Sequence, residues 1–299
     1  VSFDRKTQKY VDDLPEVMAA NGVQTFTDTK SFPVKTDKTV VLLGNLHDYT
    51  TGYAIDHPQN TVMLPEMTQV CLDQLMLNSP DHFFMMVEGG NIDYAAHPND
   101  GCTQLLQVIN FDEALSIAYE FYKKHPDETL IVVTSDHETG GISLGCKHTR
   151  YNAYMQYVDH QKMSKDAFMA WSKEMLKSDT PYTWEQMKAM LEENFGFWTV
   201  LPVNEQQTAS LKEKFEETFT RHSGTDQKTL YNTFNNFTVE VFKVINDICG
   251  FGWTSLSHTG GLVNVFAIGD DASRFQGFND NTDIPRHILD AALPGTTLN

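Results

Sequence analysis

The stretch Leu130-Ile131-Val132-Val133-Thr134-Ser135-Asp136-His137-Glu138-Thr139-Gly140-Gly141 changes character in its middle. Leu130 to Thr134 is a short, β-branched apolar run with Glu128 before it and glycine after it, the composition of a buried strand. In open α/β sheets, ligands bind outside the carboxyl ends of the strands. Asp136 and His137 stand at such an end. Being adjacent, they would point to opposite faces of a continuing strand, so chelation by both requires the backbone to bend. Gly140 and Gly141 make that bend accessible.

A second segment repeats the plan. Phe83 to Val87 is an apolar run that reads as a strand, and it leads into Glu88-Gly89-Gly90-Asn91-Ile92-Asp93-Tyr94-Ala95-Ala96-His97. Asp93 and His97 are four residues apart, so a helix starting after Gly90 places them on one face, able to chelate one ion. A third cluster, Ser257-His258-Thr259-Gly260-Gly261, precedes the strand-like run Leu262 to Ile268. His258 reaches the same sheet edge if its loop folds over it. Taken singly, Asp93 reads as a helix cap, Asp136-His137 as a turn and His258 as a loop histidine. Together they supply carboxylate and imidazole without thiolate, which suits a zinc ion with an open position, whereas structural zinc sites prefer cysteine. The donor set points to catalysis.

Working outward, residues 9 to 20 read as a helix and Thr39 to Leu43 as a strand ending at Gly44. Leu64 to Leu77, with Pro65 near its start, reads as an amphipathic helix leading into the Phe83 strand. Phe111 to Lys124 is another, leading into the Leu130 strand. Strand and helix alternating in this way predict an α/β fold with a mostly parallel sheet sandwiched by helices. From Lys147 to Phe234 the texture changes to helical segments near Ser164 to Lys177, Thr183 to Asn194 and Asn204 to His222, with no strand evident. Thr183 to Gln186 fits a capping box. The expected organisation is a metal-binding α/β core over 1–146 and 236–299, with a helical insertion over 147–235. Phe237 to Cys249 returns to a core-type helix.

The 299 residues are enough to bury a sizeable core. A formal charge of −18, from 22 basic and 40 acidic residues, argues against nucleic acid as a partner. No apolar run approaches the roughly 18 residues of a membrane span. Four cysteines, Cys71, Cys102, Cys146 and Cys249, contain no Cys-x-x-Cys pair and are expected to be mostly unpaired and buried. His47 and His57 read as loop polarity.

The strings VEGGNIDYAAHPND, FDEAL, IVVTSDHETGG and SHTGG followed by VNVFAIG, in this order, resemble the C-terminal part of a bacterial alkaline phosphatase. The likeness covers roughly Val40 to Gly145 and Asn236 to the end. It implies that Asp93, His97 and His258 bind one zinc, which coordinates the phosphate ester and activates the attacking water. Asp136 and His137 would bind a second zinc that holds the nucleophile oxygen, and Glu88 a neighbouring magnesium. It further implies a phosphate monoester substrate, a homodimer in the full-length parent, and a periplasmic or secreted location. Tyr94 sits beside a ligand, where relatives place polar or basic side chains.

The departures from the family pattern are equally specific. Such enzymes carry a nucleophilic Ser or Thr directly after an Asp, and no Asp-Ser dipeptide occurs here. The pairs Asp28-Thr29 and Asp179-Thr180 lie in polar, turn-like contexts unsuited to a nucleophile. The expectation is therefore a C-terminal portion of a longer enzyme, complete in protein ligands at one zinc and inactive when isolated. Alternatives are a phosphodiesterase, mutase or sulfatase with the same metal core, or a non-catalytic metal-binding or assembly module.

Overall fold

A computed structural model of the chain describes residues 3–4, 9–10, 14–26, 40–42, 52–56, 62–79 and 81–295. His47, His57, Gly44 and the Asp28-Thr29 pair lie outside these. The chain forms two compact units, one of Val1–Gly89 with Gln107–Ile117, the other of Gly90–Leu106 with Ala118–Asn299.

In the first unit, β1 (Phe3–Asp4) pairs antiparallel with β2 (Lys9–Tyr10). Helix α1 (Leu14–Ala20) is followed by β3 (Gln24–Phe26), which runs parallel to β4 (Val40–Leu42). The helix expected over 9–20 thus begins only at Leu14. Residues 9 and 10 are taken by the β1–β2 ladder, and Pro15 lies in the helix's first turn, where its missing N–H has no intrahelical partner to lose. Helix α2 (Leu64–Asn78) starts as the sequence indicates. Its Met63 backbone N–H donates to Glu66 Oε2 at 2.7 Å, and Pro65 sits in the first turn. The strand expected at Phe83–Val87 is not formed. Exposure alternates along these residues, with Phe84 68% and Met86 78% exposed. The chain keeps a two-residue period, but no neighbouring strand among the described residues supplies hydrogen bonds to it.

The second unit opens with α3 (Asn91–Ala96) and the two ends of α4 (Gly101–Lys124), whose middle, 107–117, belongs to the first unit, followed by β5 (Leu130–Val133), β6 (Glu138–Thr139) and β7 (Ser143–Leu144). Helices α5 (Lys165–Leu176), α6 (Trp184–Phe195) and α7 (Glu205–Phe215) come next, and α7 continues as a π-helical turn over Glu216–Thr220. A short hairpin, β8 (Gln227–Lys228) with β9 (Thr233–Phe234), leads into α8 (Asn236–Cys249). The chain ends in β10 (Phe251–Gly252), β11 (His258–Thr259), β12 (Phe266–Gly269) and α9 (Asp283–Ala292). The hairpin corrects the reading of 147–235 as strand-free. Its two-residue strands are too short to leave a periodic signal.

Polar caps at their starts explain why these helices form where they do. The side chains of Ser164, Thr183, Asn204 and Asn235 each accept a backbone N–H from the first turn of α5, α6, α7 and α8 respectively. The Thr183–Gln186 capping box is present as the sequence indicates. Gly196 and Gly250 end α6 and α8 at φ +67° and +83°, a left-handed conformation in which a Cβ is disfavoured. The apolar faces meet in one core containing Phe168, Met187, Leu191, Phe195, Leu211, Phe237, Phe242 and Ile245, each 2% exposed or less. Phe168 packs edge-on against Phe195 and Phe242, at ring separations of 5.6 and 6.0 Å.

Strand pairing differs from the parallel expectation. The longest described ladder, β5 with β12, is antiparallel, Phe266 facing Val133 and Gly269 facing Leu130. Among the described strand pairs only β3–β4 is parallel. Helix periodicity between strands signals crossovers, but β12 arrives after a long excursion, from which the chain can return in either direction. No described helix is long and apolar enough to cross a membrane. All four cysteines are free. Cys102 and Cys249 are buried, Cys146 is half-buried and Cys71 is exposed. The hydrogen bond between the Cys102 and Cys249 thiols, together with burial, holds Cys102 well above the usual thiol range.

A buried carboxylate and a buried ammonium, each held by hydrogen bonds, support the start of α4. The Asp100 carboxylate accepts from the Thr103 N–H and hydroxyl, from Gln161 Nε2 at 2.9 Å and from the Lys165 N–H at 2.7 Å. Lys165, 3% exposed, donates from Nζ to the Pro98 carbonyl at 2.7 Å. Burial lowers its pKa to about 8 against the pull of Asp100, and the same burial raises Asp100. Because the native lysine pKa lies below that of the unfolded chain, the unfolded chain holds more protons between the two values, and native stability rises with pH there. Relative to Lys165→Met, the wild type should gain on the order of 1–3 kcal/mol between about pH 7 and about pH 10. Urea unfolding of both proteins across that range checks the sign and the window.

Candidate metal centre

Three elements of the second unit bring the sequence clusters together. Helix α3 carries Asp93, and His97 follows at its C-terminal cap with its N–H donating to the Asp93 carbonyl at 3.0 Å. The pair therefore shares a helix face, as its spacing requires. After β5 the backbone bends at Asp136, and the chain enters β6. There β6 pairs antiparallel with β11, in the register His258 to Thr139 and Thr259 to Glu138. This pairing lays the His258 ring on the His137 ring, with centroids 3.6 Å apart and planes 21° from parallel.

The turn that follows β6 depends on glycine. Gly140 and Gly141 adopt φ +81° and +61°, and a Cβ on Gly140 would come within 2.5 Å of the Trp253 ring. The Gly140 N–H donates to the Ser257 carbonyl at 3.0 Å, and its carbonyl accepts from the Thr254 N–H at 2.9 Å. These two bonds dock the β10–β11 loop onto the bend. The Glu138 carboxylate adds a further tie, accepting from the Gly141 N–H at 2.6 Å and from the Thr259 hydroxyl.

Ligand-type atoms of Asp93, His137 and His258 lie within 4.8 Å of one another. Asp93 Oδ1 is 3.4 Å from His97 Nε2 and 3.6 Å from His258 Nε2. Ligands on the 2.0–2.1 Å arms of tetrahedral zinc are spaced about 3.3 Å apart, so Asp93 Oδ1 stands near that separation from each of the two nitrogens, while the set mutually within 4.8 Å takes in His137 rather than His97. His97 is 1% exposed, and its Nδ1 lies 2.8 Å from the Leu256 carbonyl. A carbonyl only accepts, so Nδ1 carries a proton, and Nε2 faces the Asp93 carboxylate at 3.4 Å. That Nε2 has no hydrogen-bond partner. A buried imidazole nitrogen facing a carboxylate is satisfied by a proton on that nitrogen or by a cation between the two, and the donor types here fit a divalent ion.

The structure thus brings together Asp93, His97, His137 and His258. Asp136 is 83% exposed, with its Oδ2 3.2 Å from His137 Nε2. Glu88 lies at the exposed end of the extended run in the first unit. Two participants were not singled out from the sequence. The Thr139 hydroxyl donates to Asp93 Oδ1 at 2.5 Å and lies 3.3 Å from His137 Nδ1. Its spacing supplies a signal, because residues 137 and 139 are two apart where the chain enters β6, the period of extended backbone. Tyr231, whose hydroxyl donates to Asp93 Oδ2 at 3.3 Å, leaves no such trace. Tyr94 is 41% exposed and packs edge-on against the Tyr231 ring, with centroids 4.5 Å apart.

A strand-edge cluster of one carboxylate and three imidazoles is a donor set suited to a divalent cation. A family model described as alkaline phosphatase matches residues 4–293, and the chain belongs to that family. It is 30% identical over 250 residues to alkaline phosphatase 4 of Bacillus subtilis, a match covering 84% of this chain and 48% of that protein. It is 28% identical over 291 residues to alkaline phosphatase 3 of the same organism, covering 97% of this chain and 56% of the relative. The chain therefore spans about half the length of the curated relatives it matches. Among solved structures, a cold-active alkaline phosphatase from the psychrophile Shewanella sp. superposes with a TM-score of 0.72 at 26% identity, covering 96% of this chain and 62% of that one. The fold is alkaline-phosphatase-like.

Gly140→Ala forces both a strained φ and a clash with Trp253, so it should destabilise by about 1–3 kcal/mol. Gly277, at φ +87° with nothing within 4 Å of the place a methyl group would take, serves as control. Thermal unfolding should show a clearly smaller loss for Gly277→Ala.

Proposed function

We propose that this chain carries the metal-binding part of a phosphomonoester hydrolase that works with two zinc ions and one magnesium ion. The observation that carries the reading is the convergence of Asp93, His97, His137 and His258, with the unpartnered Nε2 of His97 directed at the Asp93 carboxylate. In this reading Asp93, His97 and His258 hold one zinc, Asp136 and His137 the other, and Glu88 contributes to the magnesium. Such ions, when bound, supply Lewis-acid stabilisation of a phosphoryl group and lower the pKa of a bound water.

The chain's own residues prepare that site. The Leu256 carbonyl fixes the tautomer and ring plane of His97, the β6–β11 register sets His258 against His137, and the Thr139 hydroxyl orients Asp93. The nucleophilic serine and the phosphoserine intermediate are assigned to the full-length parent, since no Asp-Ser dipeptide occurs in these 299 residues. A homodimer in a periplasmic or secreted setting is proposed from the family resemblance.

Metal analysis of the purified chain should find near-stoichiometric zinc, lost in His258→Ala. A zinc-free wild type would overturn the ligand assignment. With a full-length parent, hydrolysis of an aryl phosphate monoester should exceed that of the matching diester or sulfate ester by orders of magnitude. The reverse preference would assign the centre to a phosphodiesterase or sulfatase.

A further inference from the structure

The two oxygens of Asp93 are used differently. Oδ1 faces the His97 and His258 Nε2 atoms at 3.4 and 3.6 Å. Oδ2 points the other way and accepts from the Tyr231 hydroxyl at 3.3 Å. A carboxylate that meets a cation through one oxygen still rotates about its own bond unless the second oxygen is held, and such outer contacts commonly set metal affinity. Tyr231 also packs its ring edge-on against His97, with centroids 5.1 Å apart and planes 83° from parallel. One side chain thus touches two of the candidate ligands, through its hydroxyl on one and its ring on the other.

The chain around Tyr231 is built to hold it there. The residue sits at the tip of the β8–β9 hairpin, where the Thr229 N–H donates to the Asn232 carbonyl at 2.8 Å and the Asn232 N–H donates to the Thr229 hydroxyl at 3.1 Å. The Asn232 amide donates to Asp166 Oδ1 on α5 at 2.5 Å. Phe234, fully buried at the end of the hairpin, lies under the Lys165 ammonium at 4.9 Å from the ring centroid. That same Lys165 Nζ donates to the carbonyl of Pro98, the residue after His97. The first turn of α5 therefore fixes both the hairpin that carries Tyr231 and the loop that follows the α3 ligands.

We propose that Tyr231 is a positioning residue for the metal centre, locking the orientation of Asp93 through Oδ2 and the plane of His97 through its ring, and so raising affinity for zinc. Tyr231 has this role only if the zinc reading above holds. Its ring is half-exposed, so removing the hydroxyl leaves the core untouched.

The test is zinc affinity of the full 299-residue chain, measured by competition with a chromophoric chelator, together with the visible absorption of the cobalt(II) form, which reports ligand geometry. Tyr231→Phe should keep the wild-type thermal midpoint and zinc stoichiometry, weaken zinc about tenfold and alter the cobalt bands. Tyr231→Leu, lacking the ring as well, should weaken zinc further, and Asn232→Ala, which frees the hairpin tip, should fall between wild type and Tyr231→Leu. Wild-type zinc affinity and an unchanged cobalt spectrum in both Tyr231 variants would overturn the proposal while leaving the metal centre standing. A wild type that binds neither zinc nor cobalt would remove the metal reading, and the role of Tyr231 with it.

Discussion

The antiparallel pairing of β6 with β11 is the constraint on which the candidate centre depends. It joins residue 139 to residue 258 across the whole helical region. Because side chains alternate along a strand, a slip of one residue in this ladder would turn His258 away from His137. The register is held from outside the ladder as well as within it. Gly140 exchanges hydrogen bonds with Ser257 and Thr254, and Glu138 receives the Thr259 hydroxyl. Chain length between the two strands is a minor obstacle, since loop-closure entropy grows by only about 0.6 kcal/mol per doubling. The intervening helices moreover form their own core with α8, which carries the chain back to β10 and then to β11.

With the ladder in place, the chemistry of the centre is set by a single proton. The Leu256 carbonyl, one residue before the loop turns toward His258, obliges His97 to keep its proton on Nδ1. The opposite nitrogen, buried and without a hydrogen-bond partner, faces Asp93 Oδ1. The other tautomer would turn a lone pair toward the Leu256 carbonyl instead, so this bond favours a proton on Nδ1 and leaves Nε2 free to meet either a proton or a cation. The fold ties the Nδ1 proton to a backbone carbonyl belonging to the same loop that delivers His258. Imidazole and carboxylate are thereby presented together on one side of the loop, the donor types that the proposed metal reading requires.

Much of this was legible in the sequence because its signals are local. The i, i+4 spacing of Asp93 and His97 became a shared helix face on α3, the glycine pair after His137 marked a real bend, and Ser164, Thr183 and Asn204 marked where helices begin. What remained hidden depends on distant partners. Phe83 to Val87 has strand composition, yet a strand exists only where another backbone supplies its hydrogen bonds, and the described residues offer none. The direction of β12 relative to β5 is set by the path of the intervening chain rather than by either strand's composition. Tyr231 meets Asp93 across 138 positions, from a hairpin too short to show a period. Its type alone, a tyrosine in a polar stretch, carries no indication of that contact.

Charge is the remaining tension between this chain and the anionic substrate proposed for it. The formal charge of −18 produces a field that repels phosphate esters at long range, although salt screens it beyond roughly 8–10 Å. Within that distance the local inventory decides. Asp93 brings one negative charge to the three imidazoles around it, which are neutral when they act as donors. A dication held by one carboxylate and neutral imidazoles keeps a net positive charge, and bound cations of this kind are the largest charges in such a site and reverse its local sign. Attraction of a phosphate ester to this surface is therefore conditional on the ion. In the proposed reading, every contact that sharpens the geometry of Asp93, from the Thr139 hydroxyl on one oxygen to the Tyr231 hydroxyl on the other, would act on substrate affinity through the cation rather than through direct contact with the ester.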